Sequence, residues 1–228
     1  MADKLTPGKA EIEIPYALLD YTALFKKSVV GKLGVPAIAI GSILDALEPS
    51  GFTSDGIEIK TRSEKLSEYA IVFRRARPEI PAISFTLGLN KVSVSIENPD
   101  WASAESLIVT MEAGLQAAFG ITGAETRSQQ ISLGMHIQIK SKPRKDVTAS
   151  LLSPTAYELM DGEVEIPGII LLRNKASIII DGSLAYANGL FIRIIREHPP
   201  ETSLENLAAM LRRDEEHVFE VLGLEGTL

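Results

Sequence analysis

The amino-acid sequence predicts an α+β protein: mainly antiparallel sheet in meander order, one long helix packed across it, and a helical hairpin at the C-terminus. Three observations predict this. Apolar residues recur at every second position through much of the stretch from residue 57 to 96, and again without interruption at Ile131, Leu133, Met135, Ile137 and Ile139, the period that sends alternate side chains to opposite faces of a strand. Between these runs Ala104, Leu107, Ile108, Met111, Leu115, Ala118 and Phe119 fall at three- and four-residue spacing, the stripe by which a helix covers a sheet. Near the end, Leu204, Leu207, Ala208 and Leu211, then Val218 and Leu222, suggest two short helices about a turn.

Composition agrees with a chain that buries its own core: 228 residues, 45% hydrophobic and 23% charged. A formal charge of −7 opposes attraction to phosphate backbones and anionic membranes. The lack of cysteine excludes disulfides, thiol catalysis and cysteine-ligated metals, and fits the reducing cytoplasm. Residues 1–9 read as a flexible polar tail without the apolar core of a secretory signal. The most apolar early stretch, residues 35–47, is interrupted by Ser42 and Asp45 and falls short of the roughly 20 residues that span a bilayer. Residues 10–125 and 126–228 are expected to be two α+β halves packed as one unit.

Taken in order, residues 10–14 alternate Glu11 and Glu13 with Ile12 and Ile14 and stop at Pro15, a short half-buried strand. Residues 21–33 and 36–47 read as helices parted by Gly34; Pro36 suits a first turn, where its missing N–H costs no bond. Pro49-Ser50-Gly51 closes the second. Four strands follow in period two, marked by Ile57 and Ile59, by Tyr69, Ile71 and Phe73, by Ile83, Phe85, Leu87 and Leu89, and by Val92, Val94 and Ile96. Asn98-Pro99-Asp100 ends the sheet, and the long helix takes residues 101–119 with Gly120 as its stop. After the strand at 130–140, broken by Lys142-Pro143-Arg144-Lys145, a short helix is expected within 147–160.

Strands are then expected at 165–172, 176–180 and 190–196, joined by turn residues Arg173-Asn174-Lys175 and Asp181-Gly182-Ser183. Ile178-Ile179-Ile180 does not alternate, as in a central strand covered on both faces. The closing helices are placed at 203–212, with Thr202 and Glu205 as a capping box, and at 214–222, with Asp214 as cap. The order strand, proline, helix follows both Val92 and Phe191, an echo too weak in identity to establish a duplication.

No motif names a reaction. His136, with Gln138, falls on the polar face of its strand, where a titrating group can meet a ligand or partner, but one imidazole makes no acid–base pair. Glu197 and His198 stand at a strand-to-helix junction before Pro199-Pro200, a kind of loop that carries function disproportionately. His217, three residues after Asp214, is better explained as part of a solvated helix start than as a metal ligand. No two histidines have zinc spacing and no glycine-rich run forms a phosphate loop. Gly120 and Gly123 follow a helix and make a turn, not a dinucleotide fingerprint. Ser183 lacks the second glycine of a nucleophile elbow. Glu163 and Glu165 would share a strand face, the least geometry that acid–base or metal work requires, although surface solvation explains them as well.

No catalytic residue, metal ligand or cofactor is therefore assigned; His136, Gln138, Glu197 and His198 are the candidate contact residues. Alternating strands with a solvent-facing side or an open edge recruit other strands, so the sequence is read as a non-enzymatic assembly or adaptor-like protein whose partner is protein, its own copy first. The alternative is an enzyme or small-molecule binder with a site built from dispersed residues. A third reading is DNA binding. It would use the C-terminal hairpin as a helix-turn-helix, with Arg74, Arg75 and Arg77 or Lys140, Lys142, Arg144 and Lys145 on phosphates. The acidic start Asp214-Glu215-Glu216 of the would-be recognition helix argues against it.

Overall fold

The computed structural model describes residues 8–33, 35–60, 69–77, 80–151, 168–173, 175–226 and 228. Residues 152–160 of the short helix expected within 147–160, the first residues of the strand expected at 165–172, and Glu163 and Glu165 lie outside them; at 147–151 the chain finishes a short helix at Thr148 and makes a 3-10 turn at Ala149–Leu151. In chain order the elements are β1 (Ala10–Phe25), α1 (Pro36–Leu47), β2 (Ile57–Lys60), β3 (Ala70–Arg77), β4 (Ile80–Gly88), β5 (Lys91–Glu97), α2 (Ala104–Thr122) and β6 (Thr126–Ile139). There follow α3 (Arg144–Thr148), β7 (Ile169–Arg173), β8 (Ala176–Gly182), β9 (Gly189–His198), α4 (Leu204–Leu222) and β10 (Leu224–Glu225).

The protein is mixed α and β, with one large antiparallel sheet of ten strands ordered β2-β3-β4-β5-β1-β6-β9-β8-β7, and β10 beside β1 in parallel. β2 to β5 and β7 to β9 each lie side by side in chain order, but β1 stands between β5 and β6 and β6 is followed by β9, so the meander expected for the whole sheet is corrected to a mixed order. The chain groups into two compact units. The α2 unit takes the described residues of 18–133 and 195–209, and the β7 unit those of 8–17, 134–194 and 210–228.

In the α2 unit, antiparallel register sets apolar residues in rows across four strands. Phe73 faces Phe85, Phe85 faces Val94, and Val94 faces Tyr21; Ile71, Leu87, Val92 and Ala23 form the next row. All eight are buried. The Phe73 and Phe85 rings meet edge to face at 6.2 Å, a favoured aromatic geometry. Helix α2 makes a close approach at Gly114, where a Cβ would stand 2.8 Å from the Phe85 ring and 3.0 Å from Leu47 of α1, so the missing side chain sets the distance between helix, sheet and neighbouring helix.

Three expected elements are corrected. The strand at 10–14 does not stop at Pro15 but runs on to Phe25, and the helix expected at 21–33 is absent except for a 3-10 turn at Val30–Lys32. Pro15 falls between the residues paired with β10, at 10–11, and those paired with β5, at 18–24, so those two pairings make no use of the N–H it lacks. Helix α2 begins one turn late, after a 3-10 turn capped by the Asp100 carboxylate, which accepts from Ala102 N–H at 2.8 Å. It ends at Gly123 in the left-handed conformation (φ 59°), not at Gly120.

The C-terminal hairpin is instead the single 19-residue helix α4. Its buried residues Leu204, Leu207, Leu211, Glu215, Val218, Phe219 and Leu222 keep one stripe straight through the expected turn, and Asp214 is interior. Its start is capped by Ser203, whose Oγ accepts from Asn206 N–H at 3.4 Å.

One buried polar network ties elements of the α2 unit together. The Tyr21 hydroxyl on β1 donates to Gln129 Oε1 on β6 at 2.8 Å, and Gln129 Nε2 donates to the carbonyls of Pro199 and Thr202, both at 2.8 Å. Both side chains are buried, so each polar atom must find its partner inside the protein. Burial pushes the Tyr21 phenol from 10.0 up to about 12. A raised pKa means the native state keeps a proton that the unfolded chain releases. The stabilisation from the neutral phenol is therefore whole below the unfolded value of 10.0 and lost as pH rises through about 12. Urea denaturation across that interval should show stability falling by up to about 1.4 kcal/mol per pH unit from this group, a slope that Tyr21→Phe removes. At neutral pH the same substitution should cost about 1–3 kcal/mol, because Gln129 Oε1 is left buried without a donor.

Candidate contact face around His136

Strand β6 carries its odd-numbered residues Ile131 to Ile139 into the core and leaves Gly134, His136 and Gln138 half-buried on the other face. In the β7 unit His136 is surrounded by three aromatic rings. Phe191 of β9 lies 5.0 Å from it between ring centroids, Tyr16 of β1 6.1 Å, and Tyr186 of the β8–β9 turn 6.4 Å. His136 Nδ1 stands 2.9 Å from Ser183 Oγ, which also accepts from Ala185 N–H at 3.2 Å.

Local geometry explains how Ser183 reaches the ring. Its N–H donates to Gly189 O at 3.0 Å and Gly189 N–H to Tyr186 O at 3.1 Å, which folds residues 183–189 into a tight loop. A Cβ on Gly189 would come within 2.8 Å of both Tyr186 Cβ and Ile137 O, so only glycine lets the loop close against β6. Leu184, at its tip, is fully exposed.

Beside the rings runs a polar margin. Gln138 Oε1 accepts from Lys140 Nζ at 2.8 Å, and the same ammonium meets Glu13 Oε2 at 2.6 Å. An aromatic centre with a charged rim is the usual composition of a protein-contact surface. As chemistry the group offers less. Ser183 is buried and already holds the Ala185 N–H, and among the described residues no three of His, Asp and Glu gather as a metal site would require.

Of the four residues singled out from sequence, His136 and Gln138 share this face. Glu197 and His198 belong to the α2 unit, where Glu197 is exposed and His198 half-buried at the end of β9. His217 is exposed on α4. Tyr16, Ser183, Tyr186 and Phe191 were not singled out as neighbours of His136; Ser183, 47 residues away in sequence, was weighed only as a nucleophile.

Most of the basic residues in the two clusters are engaged within the protein. Arg74 pairs with Glu58 at 3.1 Å. Arg75 is buried under Phe52, donating to the carbonyls of Ser50 (2.8 Å) and Pro81 (3.2 Å). Lys142 and Arg144 donate to the carbonyls of Gly8 (2.8 Å) and Gly189 (3.1 Å). With α4 continuous, the helix pair on which a DNA-binding reading rested is absent.

No family model matches the chain, and no curated protein matches it. Among solved structures, the PH1819 protein from Pyrococcus horikoshii OT3 is similar at 8% identity and a TM-score of 0.19, with 94% of this chain and 80% of that one covered. The 3-hydroxy-3-methylglutaryl-coenzyme A reductase of Streptococcus pneumoniae is similar at 10% identity and 0.25, with 93% and 70% covered. Likeness at that level carries no argument about fold or activity.

The His136–Ser183 contact has a direct test. Ser183→Ala removes a partner from the imidazole and from the Ala185 N–H together, so stability should fall by about 1–2 kcal/mol in urea denaturation. The His136 ring nitrogen signals should shift in the same variant. Unchanged signals and stability would show that the contact holds nothing in place.

Proposed function

We propose that this is a non-enzymatic assembly protein of the cytoplasm that pairs with a second copy of itself through the edge of β7, the face around His136 serving as adjoining contact surface. The observation that supports it is the contrast between the two ends of the sheet. At one end β2 has four residues and carries Glu58 and Lys60, with Arg74 of its neighbour bonded to Glu58. Short length and charge are the devices by which natural sheets keep an edge from recruiting strangers. At the other end β7 pairs, among the described residues, only with β8, and its Ile170, Leu171 and Leu172 are 63%, 50% and 80% exposed. Successive strand residues point to opposite faces, so among the described residues apolar surface is open on both sides of this strand as well as along its edge.

Antiparallel addition of a second β7 would satisfy the open backbone groups and cover these side chains, each worth up to about 1.5–3 kcal/mol on full burial. No helix among the described residues is long and apolar enough to cross a membrane. At this face the alternative reading, a small-molecule site, is favoured by the half-buried imidazole ringed by aromatics.

Light scattering behind size exclusion is expected to return a dimer for the native chain, and a monomer with unchanged circular dichroism for Ile170→Lys combined with Leu172→Lys. A native chain that stays monomeric at about 100 μM, a hundredfold above a micromolar dissociation constant, would overturn the proposal, as would a variant that still dimerises.

A further inference from the structure

A cavity of about 320 Å³ opens in the α2 unit where the end of β1 meets the α2–β6 connection, lined among others by Lys26, Lys27, Ser28, Lys32, Thr122 and Glu125. Its size is at the lower end of small-ligand clefts. The polar groups around it are unequally engaged. Lys26 Nζ donates to Glu125 Oε2 at 2.8 Å, and Lys26 N–H donates to Glu125 O at the same distance. The hydrogen bond from Lys26 first, and its charge second, hold the Glu125 carboxyl below its ordinary value; Lys27 adds to the effect. The Thr122 hydroxyl donates to Ala118 O at 2.7 Å and accepts from Ala124 N–H at 3.2 Å.

The Lys27 and Lys32 ammonium groups and the Ser28 N–H and hydroxyl, by contrast, make no hydrogen bond or ion pair with the described residues. Three ammonium groups and one carboxylate leave the cavity with two positive charges in excess (3 − 1 = 2), inside a chain whose total is −7. The loop that carries the free donors is fixed on both sides, by Phe25 N–H on Asn90 O (2.9 Å) and by Val29 N–H on Leu89 O (2.9 Å), so little order remains to be imposed on binding.

We propose that this cavity binds a small phosphorylated anion, with Lys27 and Lys32 supplying the charge and Ser28 the directional hydrogen bonds. Lysine binds phosphate as a point charge, and hydroxyl and backbone N–H donors fix its oxygens. Glu125 competes for Lys26 and so sets how much positive charge the anion meets.

The test is titration of the full, ¹⁵N-labelled chain with sodium pyrophosphate at constant ionic strength, following the amide signals of Lys27, Ser28, Gly31 and Gly123. Saturable shifts confined to these residues are expected. Lys27→Gln with Lys32→Gln should weaken binding by about tenfold or more, and Glu125→Gln, which releases Lys26, should strengthen it by about threefold. Lys60→Gln with Lys145→Gln, two exposed lysines elsewhere, should leave it unchanged. All of these side chains are exposed, so folding is not at stake, and matching thermal transitions will confirm that. Shifts that never saturate, or that spread equally to Lys60 and Lys145, would overturn the proposal. So would a Lys27/Lys32 variant that binds as the native chain does.

Discussion

The sheet depends on β1 holding one register. Its residues 18–24 pair with β5 so that Leu19, Tyr21 and Ala23 stand opposite Ile96, Val94 and Val92, and a slip of one residue would turn all three outward and bring Asp20 and Thr22 in. Apolar side chains alone discriminate weakly between a correct register and one displaced by two, because Leu, Tyr and Ala all tolerate an apolar neighbour. Tyr21 removes that freedom. Its hydroxyl is satisfied by Gln129, and Gln129 is aligned in turn by two carbonyls of the segment entering α4, so a displaced alignment of β1 against β6 would leave the Tyr21 hydroxyl and the Gln129 amide buried without each other.

That dependence explains which parts of the fold could be read from sequence. Strands β3, β4 and β5 show strict alternation and short turns, and β7, β8 and β9 are separated by Asn174-Lys175 and by the loop at Asp181-Gly182-Ser183; these signals are local. The alternation of Ala17, Leu19, Tyr21, Ala23 and Phe25 is equally present, but Pro15 divides it from Ile12 and Ile14, and whether a proline fits within a strand depends on which pairing partners need its N–H, partners that for β1 lie far away in sequence. Asp214 misled in a similar way. An aspartate followed by two glutamates resembles a helix start, yet the stripe from Leu204 to Leu222 never loses step, and Glu215 lies buried on it. How β1 joins β5, β6 and β10 could not be read at all, since nothing local in β1 specifies neighbours so far downstream.

The sites divide along the same line. The outward face of β6 follows from period two, and with it the positions of His136 and Gln138. What surrounds the imidazole does not, because Tyr16, Ser183, Tyr186 and Phe191 reach it from three different segments, and the one local hint was a glycine at 189 whose close packing shows only in three dimensions. The lysine cavity was hidden for a different reason. A net charge of −7 argues against binding phosphate over the whole surface but says nothing about a loop where Lys26, Lys27 and Lys32 are gathered near a single carboxylate. Local potential is set over about a Debye length, roughly 8–10 Å at ordinary salt, and not by the sum over the chain.

The two edges of the sheet also bear on where assembly would stop. If both ends were open and apolar, copies could add head to tail without limit, as heterologous contacts do. Among the described residues the β2 end is short and carries Glu58 and Lys60 beside Ile59 while the β7 end is apolar, so under the proposed assembly the union would be β7 with its own copy, antiparallel, about a two-fold axis. Such a contact uses the same surface on both partners and leaves no open apolar edge behind, so it closes at two copies. An apolar edge is an aggregation liability on a monomer; joined to itself, with a charged strand guarding the far end, it becomes a self-limiting interface.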